Sequence, residues 1–202
     1  MKKKVGILGG TFNPPHLGHL IIANEVLSVL ELDELRFMPN HEPPHKEKKG
    51  GVSDEDRIQM IQAAIGDHPK FKLELCEMQR SGKSYTYDTI KFLKEREPEA
   101  DFYFIIGGDM IEYLPNWHRI DELCELLTFV GVKRPGYSTD TPYPVHMVEV
   151  PEINLSSSLL RERMESGETV RYLLPKKVIA LIKEKRLYEP RTSTATRKRT
   201  NY

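Results

Sequence analysis

Residues 9–19 read Gly9-Gly10-Thr11-Phe12-Asn13-Pro14-Pro15-His16-Leu17-Gly18-His19, a composition suited to holding a nucleotide phosphate. The segment joins a short apolar run at 4–8 to a stretch at 17–30 with apolar residues at helical spacing. Glycines between a strand and a helix let the backbone turn tightly and approach an anion, with helix N-terminal amides aimed at it. His16 and His19 lie three residues apart, so a helix starting near His16 puts both imidazoles on one face of its first turn. Gly18 between them is expected to leave room for a ligand. Two other readings compete. A zinc pair would need a third ligand, and none is evident nearby. Two merely structural histidines would be ordinary in isolation, but not in this strand–loop–helix setting. The glycines fall at 6, 9, 10 and 18, so neither the G-x-G-x-x-G dinucleotide fingerprint nor a Walker A loop is present.

A second segment carries matching chemistry. Ser156-Ser157-Ser158 followed by Arg161 places hydroxyls and free amides at a helix start, with a guanidinium one turn on. Such an arginine can fork onto phosphate oxygens. Alone, this would read as a plain helix cap with a solvated arginine; beside the first segment it reads as a second phosphate contact.

The elements that must position these groups alternate regularly. Strands are predicted at 4–8, 35–38, 71–75, 101–106, 128–132 and 145–150. Helices are predicted at 17–30, 53–65, 87–96, 120–127, 156–165 and 176–185. Ser53-Asp54-Glu55-Asp56 has the form of a capping box. The run DFYFII at 101–106 is continuously apolar, as in a central parallel strand. Alternation of this kind specifies an α/β fold: a Rossmann-like, open, twisted, mainly parallel sheet with helices on both faces. Ligands in such sheets sit beyond the carboxyl ends of the strands, so segments 9–19, 39–52, 107–118 and 133–136 are expected to converge.

The bulk numbers fit one domain, assigned to 1–189. With 202 residues, 39% hydrophobic and 30% charged, the chain can bury its own core. A formal net charge of zero gives no general case for nucleic acid or membrane binding. Arg191, Arg197, Lys198 and Arg199 lie in an acid-free stretch, so the body is slightly acidic and must place its cations locally. Residues 190–202 lack apolar periodicity and read as a disordered basic tail. Cys76 and Cys124 form no CxxC pair and read as reduced, buried thiols. With no membrane span or signal-like run, a cytoplasmic location is the expectation.

The first segment, G-G-T-F-N-P-P-H-x-G-H, resembles the signature of the HxGH nucleotidyltransferase superfamily. Within it, the chain resembles bacterial nicotinate mononucleotide adenylyltransferase, the NadD family. Asn13 stands where that family more usually has Asp, and Ser158 where the second motif, I-S-S-T-x-I-R, has Thr. His45-Lys46 within PPHK, Ser84–Thr89 (SYTYDT), Gly107-Gly108-Asp109, the Tyr113–His118 stretch with Trp117, and Lys133-Arg134-Pro135-Gly136 match further family segments.

The resemblance implies transfer of AMP from ATP to nicotinate mononucleotide, giving deamido-NAD and pyrophosphate. It implies that Gly9, Gly10, Thr11, Phe12, His16, His19, Gly107, Asp109, Arg134, Ser157, Ser158 and Arg161 meet ATP, with His16, His19 and Arg161 catalytic. Lys46, Thr86, Tyr113 and Trp117 would meet the acceptor. Mg²⁺ is expected to travel with ATP rather than in a protein cage, and a homodimer is plausible by family analogy. The competing readings are a catalytically silent nucleotide-binding regulator on the same fold and a nicotinamide-dependent oxidoreductase, which the missing fingerprint disfavours.

Overall fold

The computed structural model describes residues 2–41, 52–80, 85–133 and 140–189. Six strands form one sheet, β1 (Lys3–Gly10), β2 (Glu34–Pro39), β3 (Phe71–Leu73), β4 (Ala100–Gly107), β5 (Thr128–Val132) and β6 (Val145–Val148), in the order β3-β2-β1-β4-β5-β6. Every neighbouring pair is parallel. All six carboxyl ends therefore lie along one edge, and the order reverses beside β1. That reversal opens a crevice at the carboxyl end of β1, where crossovers leave to opposite faces.

The alternation of side chains along the strands builds two cores. On one face Val5, Ile7, Phe102, Phe104, Ile106 and Phe129 pack with Ile90 and Leu93 of α3 (Thr86–Arg96) and Leu123 of α5 (Ile120–Leu126). On the other, Leu8, Leu35, Phe37, Ile105 and Val130 pack with Ala23, Val26 and Leu27 of α1 (Leu17–Val29) and Ile61 and Ile65 of α2 (Asp54–Ile65). A third cluster joins Met60 of α2 to Leu160 of α6 (Ser157–Glu165) and to Val178 and Ile182 of α7 (Lys176–Glu184). It fastens α6 and α7 to α2.

The expected elements are present, with three differences. Strand β1 runs through Gly9 and Gly10, which pair with Met38 and Pro39, because the Asn40 amide donates to the Gly10 carbonyl and extends the ladder (3.1 Å). Segment 107–118 is not a plain loop: it forms α4 (Gly108–Tyr113) and a 3₁₀ turn (Leu114–Asn116). Strands β3 and β6 stop two residues early. The Ser53 capping box is formed, with its hydroxyl accepting from the Asp56 amide at 3.0 Å.

Arg36, on β2, is buried and bonds three carboxylates: Glu34 at 2.7 Å, Glu74 at 3.2 Å and Glu97 at 2.6 Å. Arg96 adds a second cation on Glu74 and Glu97. The hydrogen bonds from Arg36 hold the Glu97 carboxyl down at about 2. Cys76 is buried, and burial pushes its thiol up to about 12; Cys124 is half-buried, not fully buried as expected. Among the described residues no helix is long and apolar enough to cross a membrane. The expected tail at 190–202 lies outside the described residues.

Candidate active site

The loop from Thr11 to His16 leaves β1 at the crevice and feeds α1. Phe12 enters the left-handed region, at φ 49°, a conformation that a bulky residue holds only when its surroundings fix it. They do. Its ring is 1% exposed, edge-on to His19 at 5.0 Å between centroids and tilted against Phe37 at 5.7 Å. Phe12 is thus a core residue; only its backbone can meet a nucleotide.

His16 is the N-cap of α1 and is buried, whereas His19 is half-exposed. Their rings stack at 3.7 Å with 24° between planes, so both imidazoles do share one face. The His16 backbone N–H donates to Nδ1 of His19 at 3.1 Å. That bond fixes His19: Nδ1 is an acceptor, so its proton sits on Nε2, turned away from the helix start as a donor. The space beside Gly18 is filled by the chain itself. A Cβ there would come within 3.1 Å of the His16 ring, so the glycine admits an imidazole, not a ligand as expected.

The second segment folds directly onto this loop. Ser156 caps α6, accepting from the Leu159 amide at 3.2 Å. The Ser157 hydroxyl donates to the Pro14 carbonyl at 2.8 Å. Arg161 donates from Nη1 to the Asn13 carbonyl at 2.7 Å and from Nη2 to the Ser158 hydroxyl at 3.1 Å. The Ser157 hydroxyl thus braces the loop and seats the start of α6 against it. Arg161 has three further N–H groups to offer.

Two residues escaped the sequence reading. Arg57 of α2 is buried and bonds the Thr11 and Asn40 carbonyls. It lies at the spacing of Met60 and Ile61, on the inward stripe of its helix, and that was the available signal. Tyr188, beyond α7, hydrogen-bonds the Asn13 side chain through its hydroxyl. Burial pushes its phenol up, keeping it a neutral donor.

At the far side of the crevice, Trp117 is half-buried, edge-to-face on Phe104 at 5.9 Å and on Phe129 at 5.7 Å. Gly107 ends β4 and caps α4; Asp109 and Tyr113 are half-buried residues of α4. Thr86 is the first residue of α3, whose N-cap, Tyr85, makes no side-chain capping bond. Lys46, Ser84 and Arg134 lie outside the described residues.

The cytidylyltransferase-like family model matches residues 7–163. A protein of Geobacillus thermodenitrificans named "Probable nicotinate-nucleotide adenylyltransferase" is 59% identical over 95% of this chain and 89% of its own. One of Lactiplantibacillus plantarum with the same name is 56% identical over 93% and 89%. The chain belongs to the nicotinate-nucleotide adenylyltransferase family.

The fold agrees. The Plasmodium falciparum nicotinic acid mononucleotide adenylyltransferase complexed with NaAD aligns with a TM-score of 0.76 at 21% identity, over 92% of this chain and 97% of that one. The same enzyme complexed with APC aligns with a TM-score of 0.75. The family assignment accounts for the pairing of the two signatures, since residues 143 and 148 positions apart in the chain meet on one loop.

Proposed function

We infer that this family member transfers the adenylyl group of ATP to nicotinate mononucleotide, forming nicotinate adenine dinucleotide and pyrophosphate. The observation that carries the reading is the junction of the two signatures, with Ser157 and Arg161 on the Pro14 and Asn13 carbonyls beside the stacked His16–His19 pair.

A phosphate oxygen of the mononucleotide, already ionised near neutral pH, attacks the α-phosphorus in line, and pyrophosphate leaves. No general base or covalent intermediate is required, so the protein supplies alignment and charge stabilisation. The Nε2–H of His19 donates to the α- and β-phosphate region, next to His16. Arg161, with Ser158 on it, meets the β- and γ-phosphates. Gly9, Gly10 and Thr11 lead the backbone past the triphosphate. Gly107 and Asp109 border the nucleoside, with Arg134 completing that side. Mg²⁺ would enter with ATP and would neutralise charge on the phosphates.

The acceptor occupies the other half. Trp117 and Tyr113 offer aromatic surface for a flat pyridine ring. Thr86 and the amides opening α3, which Tyr85 does not cap, suit the ring's carboxylate. Lys46 would take the acceptor phosphate. The one-domain assignment, a cytoplasmic location and a homodimer belong to the same reading.

The test is pyrophosphate release with ATP and, in parallel, nicotinate or nicotinamide mononucleotide. Release with the nicotinate compound, faster than with the amide, is the expected result. Binding of ATP without release from either would make the chain a silent nucleotide-binding regulator.

A further inference from the structure

Asn13 is a polar side chain, 5% exposed, inside the phosphate loop. It is gripped at two atoms. Its backbone carbonyl accepts from Nη1 of Arg161 at 2.7 Å, and its side-chain Oδ1 accepts from the Tyr188 hydroxyl. Tyr188 lies beyond α7 at φ 59°, in the left-handed region that a bulky residue holds only when its surroundings fix it. Its ring packs against the cluster of Met60, Leu160 and Ile182, with the Met60 sulfur 4.0 Å from the hydroxyl. Among charged groups, Arg161 acts on the phenol most strongly, ahead of Asp56 and Arg57.

We propose that Tyr188 is a positioning residue for the triphosphate: it fixes Asn13, and through the Asn13 carbonyl it sets the direction in which Arg161 presents its remaining N–H groups. This rests on the adenylyltransferase reading, in which Arg161 meets the β- and γ-phosphates. A phenol has one proton to give, and here it goes to Oδ1, which keeps the Asn13 side chain from turning. With the side chain held, the carbonyl of the same residue is held too. A guanidinium is planar and rigid. Its bonds to the Asn13 carbonyl and, at 3.1 Å, to the Ser158 hydroxyl define its plane, and the other three N–H groups follow. A shift of the carbonyl therefore turns the whole fork, and a misplacement of about 1 Å can cost about 10²-fold in rate. Packing alone would need the ring of Tyr188 but not its hydroxyl, and the hydroxyl is the atom that reaches the loop.

The test is Tyr188→Phe, which keeps the ring, with Asn13→Leu as a second variant that removes the acceptor at similar volume. Dissociation constants are measured for ATP and for AMP, which lacks the phosphates that Arg161 meets, together with turnover and melting. In Tyr188→Phe, ATP should bind at least about tenfold more weakly and AMP within about twofold of wild type. Turnover should fall about tenfold or more. In an Arg161→Ala background, adding Tyr188→Phe should change ATP affinity by less than about twofold, because the hydroxyl acts through the guanidinium. A purely structural role would weaken ATP and AMP by the same factor. A hydroxyl that touches ATP itself would keep its full effect without Arg161. Either outcome overturns the proposal, as does unchanged ATP affinity in Tyr188→Phe. If that variant does not fold, equal losses of ATP and AMP, or no loss, in Asn13→Leu overturn it. A wild type that binds ATP but releases no pyrophosphate would instead sink the functional reading and leave the ATP–AMP comparison intact.

Discussion

Replacing His19 by two different residues separates its two jobs. Its Nδ1 accepts the His16 amide at the start of α1, which leaves the ring proton on Nε2 as a donor. His19→Ala removes both. Leaving the His16 N–H without its acceptor costs about 1–3 kcal/mol. At roughly 2–4 °C per kcal/mol for a chain of this size, melting falls by about 2–12 °C. Losing a donor aimed at developing phosphate charge costs about 10²–10³ in kcat, or about 2.7–4 kcal/mol. His19→Glu keeps one job only. A carboxylate at this third helical position can reach back to the capping residue's amide, and its charge suits the helix start. Melting of His19→Glu should therefore stay within about 2 °C of wild type, while its acceptor-only oxygens repel the triphosphate and kcat falls at least as far as in His19→Ala. The assays are a melting curve and pyrophosphate release at saturating substrates. If His19→Glu keeps more than a tenth of wild-type turnover, His19 is no phosphate donor. If both variants melt alike, the His16–His19 hydrogen bond does not support the helix start.

Other perturbations read different parts of the fold. Arg36→Met removes the buried cation shared by three carboxylates, leaving Glu74 and Glu97 to Arg96 and Glu34 to Lys3, and should cost about 3 kcal/mol, lowering melting by about 6–12 °C with KM for both substrates unchanged. In the wild type, Glu97 is depressed to about 2 from its ordinary 4.5. Its contribution is present above 4.5 and is lost as pH falls from there toward 2, so acid melting of Arg36→Met should show a flatter pH slope over that window. Trp117→Leu keeps apolar contact with Phe104 and Phe129 but removes the stacking face. KM for the mononucleotide should rise about tenfold and KM for ATP change by less than about twofold. Gly18→Ala pushes a methyl against the His16 ring and should lower kcat about tenfold with little loss of melting temperature, read by the same two assays.

Much of the sheet was legible because parallel strands buried on both faces must be continuously apolar, as at 101–106, and because Ser53 and Asp56 announce a helix start in their own chemistry. Helix α4 was not legible: six residues between glycine and a 3₁₀ turn contain too few turns to show a period. The two phosphate signatures were readable as spacing, but their hydrogen bonds were not. Nothing local says that Ser157 gives its proton to Pro14, or that Gly18 makes room for His16. Arg36 resembles a solvated charge when taken singly, and for Arg57 the helical spacing to Met60 and Ile61 was the one local hint. Burial of a cation becomes visible only when carbonyls and carboxylates distant in sequence arrive around it. Tyr188 gave no signal, since its partner lies at the opposite end of the chain.

The contact between Tyr188 and Asn13 has a bearing on how the loop is held. Residues far along the chain fasten it: Arg57, then Ser157 and Arg161, then the Leu173 carbonyl on the Leu17 amide, and then Tyr188. Lys185 on Asp56 closes the same seam. Removing α7 and Tyr188 would leave both histidines in place and take away part of the clasp that sets their loop. The loop's geometry is therefore a property of contacts up to 175 positions apart rather than of its own residues.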